Sequence, residues 1–580
     1  MQYVADYETT TKKDDCRVWA FGIVDIDDTD DFTYANSIES FFDWCENCNN
    51  ATVYFHNLKF DGAFIIDYLF RNEFSLIEDR KQRDTKTFTT LISDMGTFYS
   101  IEIYFEVKGK HSRKVKILNS LNILPFKVKE IAKGFGLEES KGDIDYHLDR
   151  PIGWIITDEE KEYLRKDCVI VAKALKTLFS QGLEKMTQGS NALADYKTTI
   201  NREFRKLFPL LDFHADIRKS YRGGWTYANP TFKGLDINEG LVFDVNSLYP
   251  WVMYECMLPY GEGIYYSGEY QKDEFYDVYI QNLSCQFELK KGYLPTLQLK
   301  HNRFFADTEY CISSDENFID LTLTSVDLKL FLEHYNVYNV TYIQGWKFRS
   351  TNILFKDYID KWIKVKIEST LNGNEAMRTL AKLMLNALYG KFALNPRVCS
   401  KYPKFDEMDN RVKYYRGQEE FREPMYMPIG TFITSYAREK TIRSAQILMN
   451  PTKQYPNGRF LYADTDSLHI IGLELPKELE ISPTILGAWK MELQFTRARY
   501  LRAKCYIEEF LNKKQELELK VTIAGLPKIE ESEEDEEVDG VYSSVTWENF
   551  RLGSTYKGKL HPVIVAGGIV LLPIDYQLKA

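Results

Sequence analysis

The 580-residue chain contains no apolar run long enough to span a bilayer. Its first residues, MQYVADYETTT, lack the basic-then-apolar pattern of a secretion signal, so the expected compartment is the cytosol. Positive charge is also in deficit: 74 Lys and Arg face 85 Asp and Glu, a net charge of −11. That balance argues against indiscriminate nucleic-acid binding through total charge, yet leaves room for a local basic channel. The acidic runs DIDDTDD (25–31) and EESEEDEE (530–537) read as solvated loops. The nine cysteines are scattered and odd in number, as in a reducing compartment. Cys45 and Cys48 form a lone CxxC with no second pair at zinc spacing, which argues against a metal knuckle. What the chain has in quantity is aromatic surface, 14% of residues with 39 Tyr, suited both to half-buried cores and to stacking on bases. Its length calls for two to four domains.

VADYETTT, RVWAFGIVDI and ATVYFHN read as strands, and KFDGAFIIDYLFRN as a helix. FTTLISDMGTFYSIEIYFEV suggests a hairpin and KVKILNS a further strand. Residues 157–179 predict a strong helix, with Thr157 as N-cap and Glu160 completing a capping box. These elements imply one α/β unit through about residue 180. Beyond it, GLVFDVNSLYPWVMY is a strand running into a helix, and residues 255–350 look irregular with short strands. A helical pair is expected across the turn LNGN, a hairpin over 398–417, a helix over 430–449 and a β-rich tail.

Two segments deliver acids at strand ends: GLVFDVNSLYP and FLYADTDSLHI. If the strands are neighbours, Asp244, Asp466 and Asp464 converge, and strand alternation aims both acids of DTD at one ion. Carboxylates crowded at buried strand ends need a compensating charge, and a hard divalent cation shared with phosphate oxygens supplies it. On the helix NEAMRTLAKLMLNALYGKF, Arg378, Lys382, Asn386 and Tyr389 fall on one stripe, with Leu380, Met384 and Ala387 on the apolar side. Such a stripe can hold a triphosphate and stack a base, and Gly390 is the expected C-cap. In the N-terminal unit Asp6 and Glu8 share a strand face, Asp61 follows another strand, and Tyr163 and Asp167 share a helix face. Four carboxylates and a Tyr suit two-metal hydrolysis of a phosphodiester.

FDVNSLYP, KLMLNALYGKF and YADTDS resemble motifs A, B and C of family B DNA polymerases. HNLKFDGAF, KGDIDYH, YRGGW, LPYGE and LRAKCY narrow the resemblance to the protein-primed replicative polymerases of small linear-genome bacteriophages, in family order and along essentially the whole chain. The implied fold is α/β and α+β multidomain: a ribonuclease-H-like 3′→5′ exonuclease (1–185) joined to a right-hand polymerase. Palm falls at 186–253 and 424–536, fingers at 351–395 and thumb at 537–580, with terminal-protein-region insertions at 254–350 and 396–423.

The resemblance further implies that Asp244, Val245 and Asp466 ligate two magnesium ions beside Asp464, manganese being a substitute, and that Asp6, Glu8, Asp61 and Asp167 ligate two more. Tyr163 and Lys141 join the second set as catalytic groups. Val245, Tyr249, Arg378, Lys382, Asn386 and Tyr389 become nucleotide ligands, Tyr249 excluding a 2′-hydroxyl. Thr9, His56, Asn57, Phe60, Phe64, Ser120, Leu121 and Tyr146 become single-strand ligands. Tyr221, Gly223, Gly224, Ser247, Gly390, Phe392, Arg502, Lys504 and Tyr506 become contacts for primer and template. Implied partners are DNA, deoxynucleoside triphosphates and a priming terminal protein in a heterodimer with a catalytic monomer, acting in the cytoplasm of an infected bacterium. Two departures stand out: Tyr7 where Phe is usual, with its ring turned from the metals, and Asn119 where an acid is usual. A nuclease with an idle polymerase half, or a non-catalytic scaffold, would leave one or both acid clusters without a role.

Overall fold

Strand Gln2–Thr9 lies inside a sheet, parallel to Ala51–Phe55 and antiparallel to Val18–Asp25. The computed structural model describes residues 1–580 except 49, 141, 147, 201–202, 299–309, 527–536, 539 and 580. Lys141 and all but the last residue of EESEEDEE are thus outside the described residues. Ala51–Phe55 in turn runs parallel to His111–Asn119. Helix Asp158–Ser180 packs on Gln2–Thr9 and Val18–Asp25, burying Leu164, Cys168, Val171 and Leu175. Its capping box forms as expected: Thr157 Oγ1 accepts from Glu160 N at 3.2 Å, and Glu160 Oε2 accepts from Thr157 N at 3.0 Å. Glu160 also takes bonds from Arg150 and Trp154, so this cap ties the preceding loop to the helix.

The hairpin Arg397–Asp406/Arg411–Phe421 forms within the expected insertion, but it sits where no local pattern predicts. It continues the N-terminal sheet: Ser400 pairs with Ser93 and Lys401 with Ile92, giving the order 411–421, 397–406, 87–93, 98–108, 111–119, 51–55, 2–9, 18–25, 32–35. The C-terminal hairpin Thr555–Val565/Gly568–Gln577 closes against the same region. Arg411 Nη1 donates to Ile564 O at 3.1 Å, Gly567 N to Asp67 Oδ1 at 3.3 Å, and Arg71 Nη1 to Asn410 Oδ1 at 2.9 Å.

A second, antiparallel sheet has the order 517–523, 505–511, 489–502, 240–245, 467–471, 460–464, 226–228. Helix Met427–Leu448 lies against it, apolar over most of its length. The stretch 255–350 departs from the expectation of irregular structure. It contains a four-stranded sheet, Leu258–Ser267, Tyr335–Thr351, Val278–Leu289 and Ile319–Thr324. Register shifts at Asn282/Leu283 and Ser284/Gln286 break the two-residue alternation, which hides these strands from pattern reading.

Helices Lys356–Leu371 and Glu375–Ala387 form the expected pair, with Asn374 capping the second by accepting from Met377 N at 3.1 Å. Gly390 is not its C-cap. Leu388 ends the helix in right-handed conformation, and Tyr389–Phe392 forms another helical turn in which Gly390 needs no left-handed backbone. Among the described residues no helix is long and apolar enough to cross a membrane.

Candidate active sites

Asp244 stands near the end of strand Gly240–Val245, flanked in register by Ser467 on one side and Lys490 on the other. Strand Phe460–Asp464 ends at Asp464, Thr465 turns the chain at φ 59°, and the return strand begins at Ser467. DTD is therefore a hairpin tip, which corrects the expectation that alternation along one strand aims both acids at one ion. Asp466 O accepts from Val245 N at 2.8 Å, which sets Asp466 beside Asp244. Asp464 has other partners: it accepts from Thr226 Oγ1 at 2.7 Å, and Lys504 Nζ lies 3.6 Å away. The YRGG segment braces the tip. Thr465 N donates to Trp225 O at 2.8 Å, and a Cβ on Gly224 would lie 2.3 Å from Thr465 Oγ1, so only glycine permits the approach.

Burial, and then the charge of Asp466, push the Asp244 carboxyl up to about 7. Asp466 is likewise raised, by burial and by Asp464. The folded protein thus holds the Asp244 proton to a higher pH than the unfolded chain, whose carboxyl titrates near about 4. Native protein binds more protons across that window, so this site's contribution to stability falls as pH rises from about 4 to 7 and is level above it. In chelator, the melting temperature of Asp244→Asn relative to the unsubstituted protein should climb across that window and then plateau. A gap independent of pH would show that Asp244 is not held protonated.

In front of these acids Tyr249 and Tyr389 stack, with ring centroids 3.9 Å apart at 20°. Lys382 and Asn386 lie exposed on the open side of helix Glu375–Ala387, while Leu380 and Met384 are fully buried, as the stripe predicts. Arg378 is paired with Glu375. Partial desolvation, then Arg378 and Lys490, lower the Lys382 ammonium. Lys366, on the preceding helix, is lowered by desolvation and by Lys382, Arg378 and Lys490, which places it in the same cationic group. Sequence reading misses Lys366 and Lys490. One is a lysine among several on an amphipathic helix, and the other is visible only through strand register.

Around the hairpin tip, Tyr462 Oη accepts from Lys504 N at 3.1 Å, and the Tyr506 ring lies 5.0 Å from that of Tyr462. Arg502 Nε donates to Lys579 O at 3.0 Å. Ser247, at φ 56°, precedes helix Leu248–Glu255. Tyr221 is close enough to Tyr389 for their hydroxyls to interact electrostatically. Two of the expected DNA contacts lie inside the protein. Phe392 is wholly buried among Tyr196, Phe204, Phe208 and Phe355, and Phe64 is buried where a Cβ on Gly568 would lie 2.4 Å from its ring. Aromatic packing encloses Phe392, whereas the C-terminal hairpin at Gly568 covers Phe64.

The second acid cluster forms on the N-terminal sheet. Asp6 and Glu8 share one face of strand Gln2–Thr9. Tyr7 turns to the other and packs on Phe41 and Phe55, 5.2 and 4.9 Å between centroids, as its middle position requires. Asp61 sits in the first turn of helix Leu58–Arg71; burial and then Asp6 raise its carboxyl well above the ordinary range. Tyr163 and Asp167 are both buried on helix Asp158–Ser180. The Tyr163 hydroxyl lies 2.7 Å from that of Tyr146, while burial, Glu8 and Asp167 raise its own ionisation. His56 is fixed by Ser120 Oγ at 3.0 Å and Phe126 O at 2.8 Å. Asn57, at φ 71°, precedes the Asp61 helix, and Phe60 packs 5.6 Å from Phe64. Thr9 lines a shallow recess with Tyr146 and Arg150. Asn119 ties the chain together locally, since its Oδ1 accepts from Leu58 N and Leu121 N while its Nδ2 donates to Phe98 O. A neutral amide can make that donation, which a carboxylate cannot.

Among the described residues no three His, Cys, Asp or Glu groups already form a metal cage. The donor sets nevertheless fit divalent cations that take part of their shell from phosphate and water. Each centre crowds partly desolvated carboxylates whose mutual repulsion raises their protonation, the signature of sites lacking countercharge.

The family pattern described as DNA polymerase type B, organellar and viral, matches residues 45–480. The DNA polymerase of Bacillus phage phi29 is 45% identical over 595 aligned positions, covering 100% of this chain and 99% of that protein. That of Streptococcus phage Cp-1 is 31% identical over 100% of this chain and 98% of its own. The solved phi29 DNA polymerase complexed with primer-template DNA (post-translocation binary complex) matches with a TM-score of 0.91 and 43% identity, covering 100% of both chains. The chain belongs to the type B DNA polymerases, organellar and viral. It is a DNA-directed DNA polymerase with a 3′→5′ exonuclease, and enzymes of this family use divalent metal ions.

Proposed function

We propose that Asp244, the Val245 carbonyl and Asp466 hold two magnesium ions at the nucleotidyl-transfer site, with manganese as a substitute, and that Asp6, Glu8, Asp61 and Asp167 hold two at the proofreading site. The observation that carries this is the union, at one strand end, of Asp244 with the Asp466 hairpin, faced by the Tyr249–Tyr389 stack and the Lys382 side of the helical pair. The ions, when bound, activate the attacking oxygen and neutralise the leaving one. Lys382 and Arg378 bind the triphosphate of the incoming deoxynucleotide, and Asn386 with Tyr389 meets the nascent pair. Tyr249 underlies the sugar and excludes a 2′-hydroxyl. Lys504, Arg502 and Tyr506 steady the primer end, and Tyr221, Gly223, Gly224, Ser247 and Gly390 line its path. At the second centre Tyr163 and Lys141 position the attacking water, while Thr9, His56, Asn57, Phe60, Phe64, Ser120, Leu121 and Tyr146 hold the frayed strand.

In this reading 1–185 is the exonuclease, 186–253 and 424–536 the palm, 351–395 the fingers and 537–580 the thumb. Insertions 254–350 and 396–423 grip the priming protein and enclose DNA. The enzyme works as a monomer, heterodimeric with the priming protein during initiation, in the cytoplasm of the infected bacterium. Incubating it with the candidate priming protein, magnesium and one labelled deoxynucleotide should give a covalent protein–nucleotide adduct. Extension of a DNA primer without any adduct would leave the polymerase reading intact and remove priming.

A further inference from the structure

We propose that Lys490 is a further cation of the nucleotide seat, contributed by the sheet that carries Asp244 rather than by the helical pair, and that it binds the triphosphate of the incoming nucleotide. The inference rests on Asp244 lying at the nucleotidyl-transfer site. Lys490 is the direct antiparallel partner of Asp244. Residues directly opposite in such a pair project from the same face, so the ammonium and the carboxylate rise side by side from the sheet. Glu492, the extra residue at the register shift opposite Val242/Phe243, is ion-paired with Lys490, with 40% and 44% of the two side chains exposed.

The charge of Lys490 also reaches the helical pair. It depresses the ammonium groups of both Lys366 and Lys382, as Arg378 does. Three lysines and an arginine from three chain segments are therefore near enough to feel one another's charge, with Lys490 beside Asp244, and like charges so gathered repel unless a polyanion lies among them. Glu375 and Glu492 occupy Arg378 and Lys490 meanwhile. An arriving triphosphate offers Lys490 a stronger acceptor than the exposed Glu492, so the ammonium exchanges one anion for the other without leaving its strand. The bland alternative is that Lys490 only offsets the charges of Asp244 and Glu492. That role would alter the pH profile but not the affinity for nucleotide.

The test measures equilibrium binding of the next correct deoxynucleoside triphosphate to the full-length enzyme on primer–template DNA ended by a dideoxynucleotide, with calcium as the divalent ion. Lys490→Ala should weaken binding about tenfold, the scale of one lost charge-assisted hydrogen bond. Lys490→Arg should stay within about threefold of the unsubstituted enzyme, since the charge is kept. Single-strand degradation by both variants should be unchanged, which certifies the fold. Equal affinity of Lys490→Ala and the unsubstituted enzyme overturns the proposal, as does an equal loss in Lys490→Arg. No binding by the unsubstituted complex would instead overturn the assignment of the Asp244 site, and this inference with it.

Discussion

Asp466→Ala should abolish primer extension, by a factor on the order of a thousand or more, while leaving degradation of single strands at its original rate. The size follows from position: Asp466 is a partly desolvated carboxylate adjacent to Asp244, where the proposed site would hold divalent ions against the reacting phosphates. The fold does not depend on the lost side chain. The hairpin tip is closed by main-chain bonds, Asp466 N to Asp464 O at 2.7 Å and Val245 N to Asp466 O at 2.8 Å, and by Thr441 Oγ1 to Thr465 O at 2.6 Å. Removing one of two repelling acids should raise the melting temperature of metal-free protein, which separates lost chemistry from lost structure.

Asp6→Ala should do the converse, removing hydrolysis of single strands by a similar factor and sparing extension. Asp6 is a principal reason that Asp61 resists ionisation, so the substitution should also let Asp61 ionise at lower pH. Strand Gln2–Thr9 keeps its neighbours through backbone pairing on both sides, so the sheet survives the change. Time courses of a labelled primer with and without nucleotides read both activities in one experiment. If either alanine variant, still folded, lost both, the two centres would not be independent and the two-site reading would fail.

Much of this is legible in the sequence because local signals agree with one another. The capping box at Thr157 follows from residue spacing, the Tyr7 side of Asp-Tyr-Glu and the stripe from Arg378 to Asn386 follow from periodicity, and the structure has them so. The readings that fail depend on non-local partners. Alternation predicts the faces of DTD only if the chain stays extended, and Trp225 and Gly224 impose a turn there. The burial of Phe64 and Phe392 likewise comes from residues far away in the chain. Bulges scramble the pattern of 255–350, and no local signal says that residues 397–421 add strands to a sheet begun at residue 2.

The borrowed strands limit how the chain can be divided. Strand Thr87–Ser93 would present an unsatisfied hydrogen-bonding edge if the proofreading half were made alone, and Phe64 would lose its C-terminal cover. Catalytic modularity and structural autonomy therefore part company here: the boundary between two chemistries is not a boundary between two separable bodies. An isolated 1–185 fragment begins life with a sticky seam and a hole in its wall, whereas the intact polypeptide heals the first with strands from 397–421 and the second with its C-terminal hairpin.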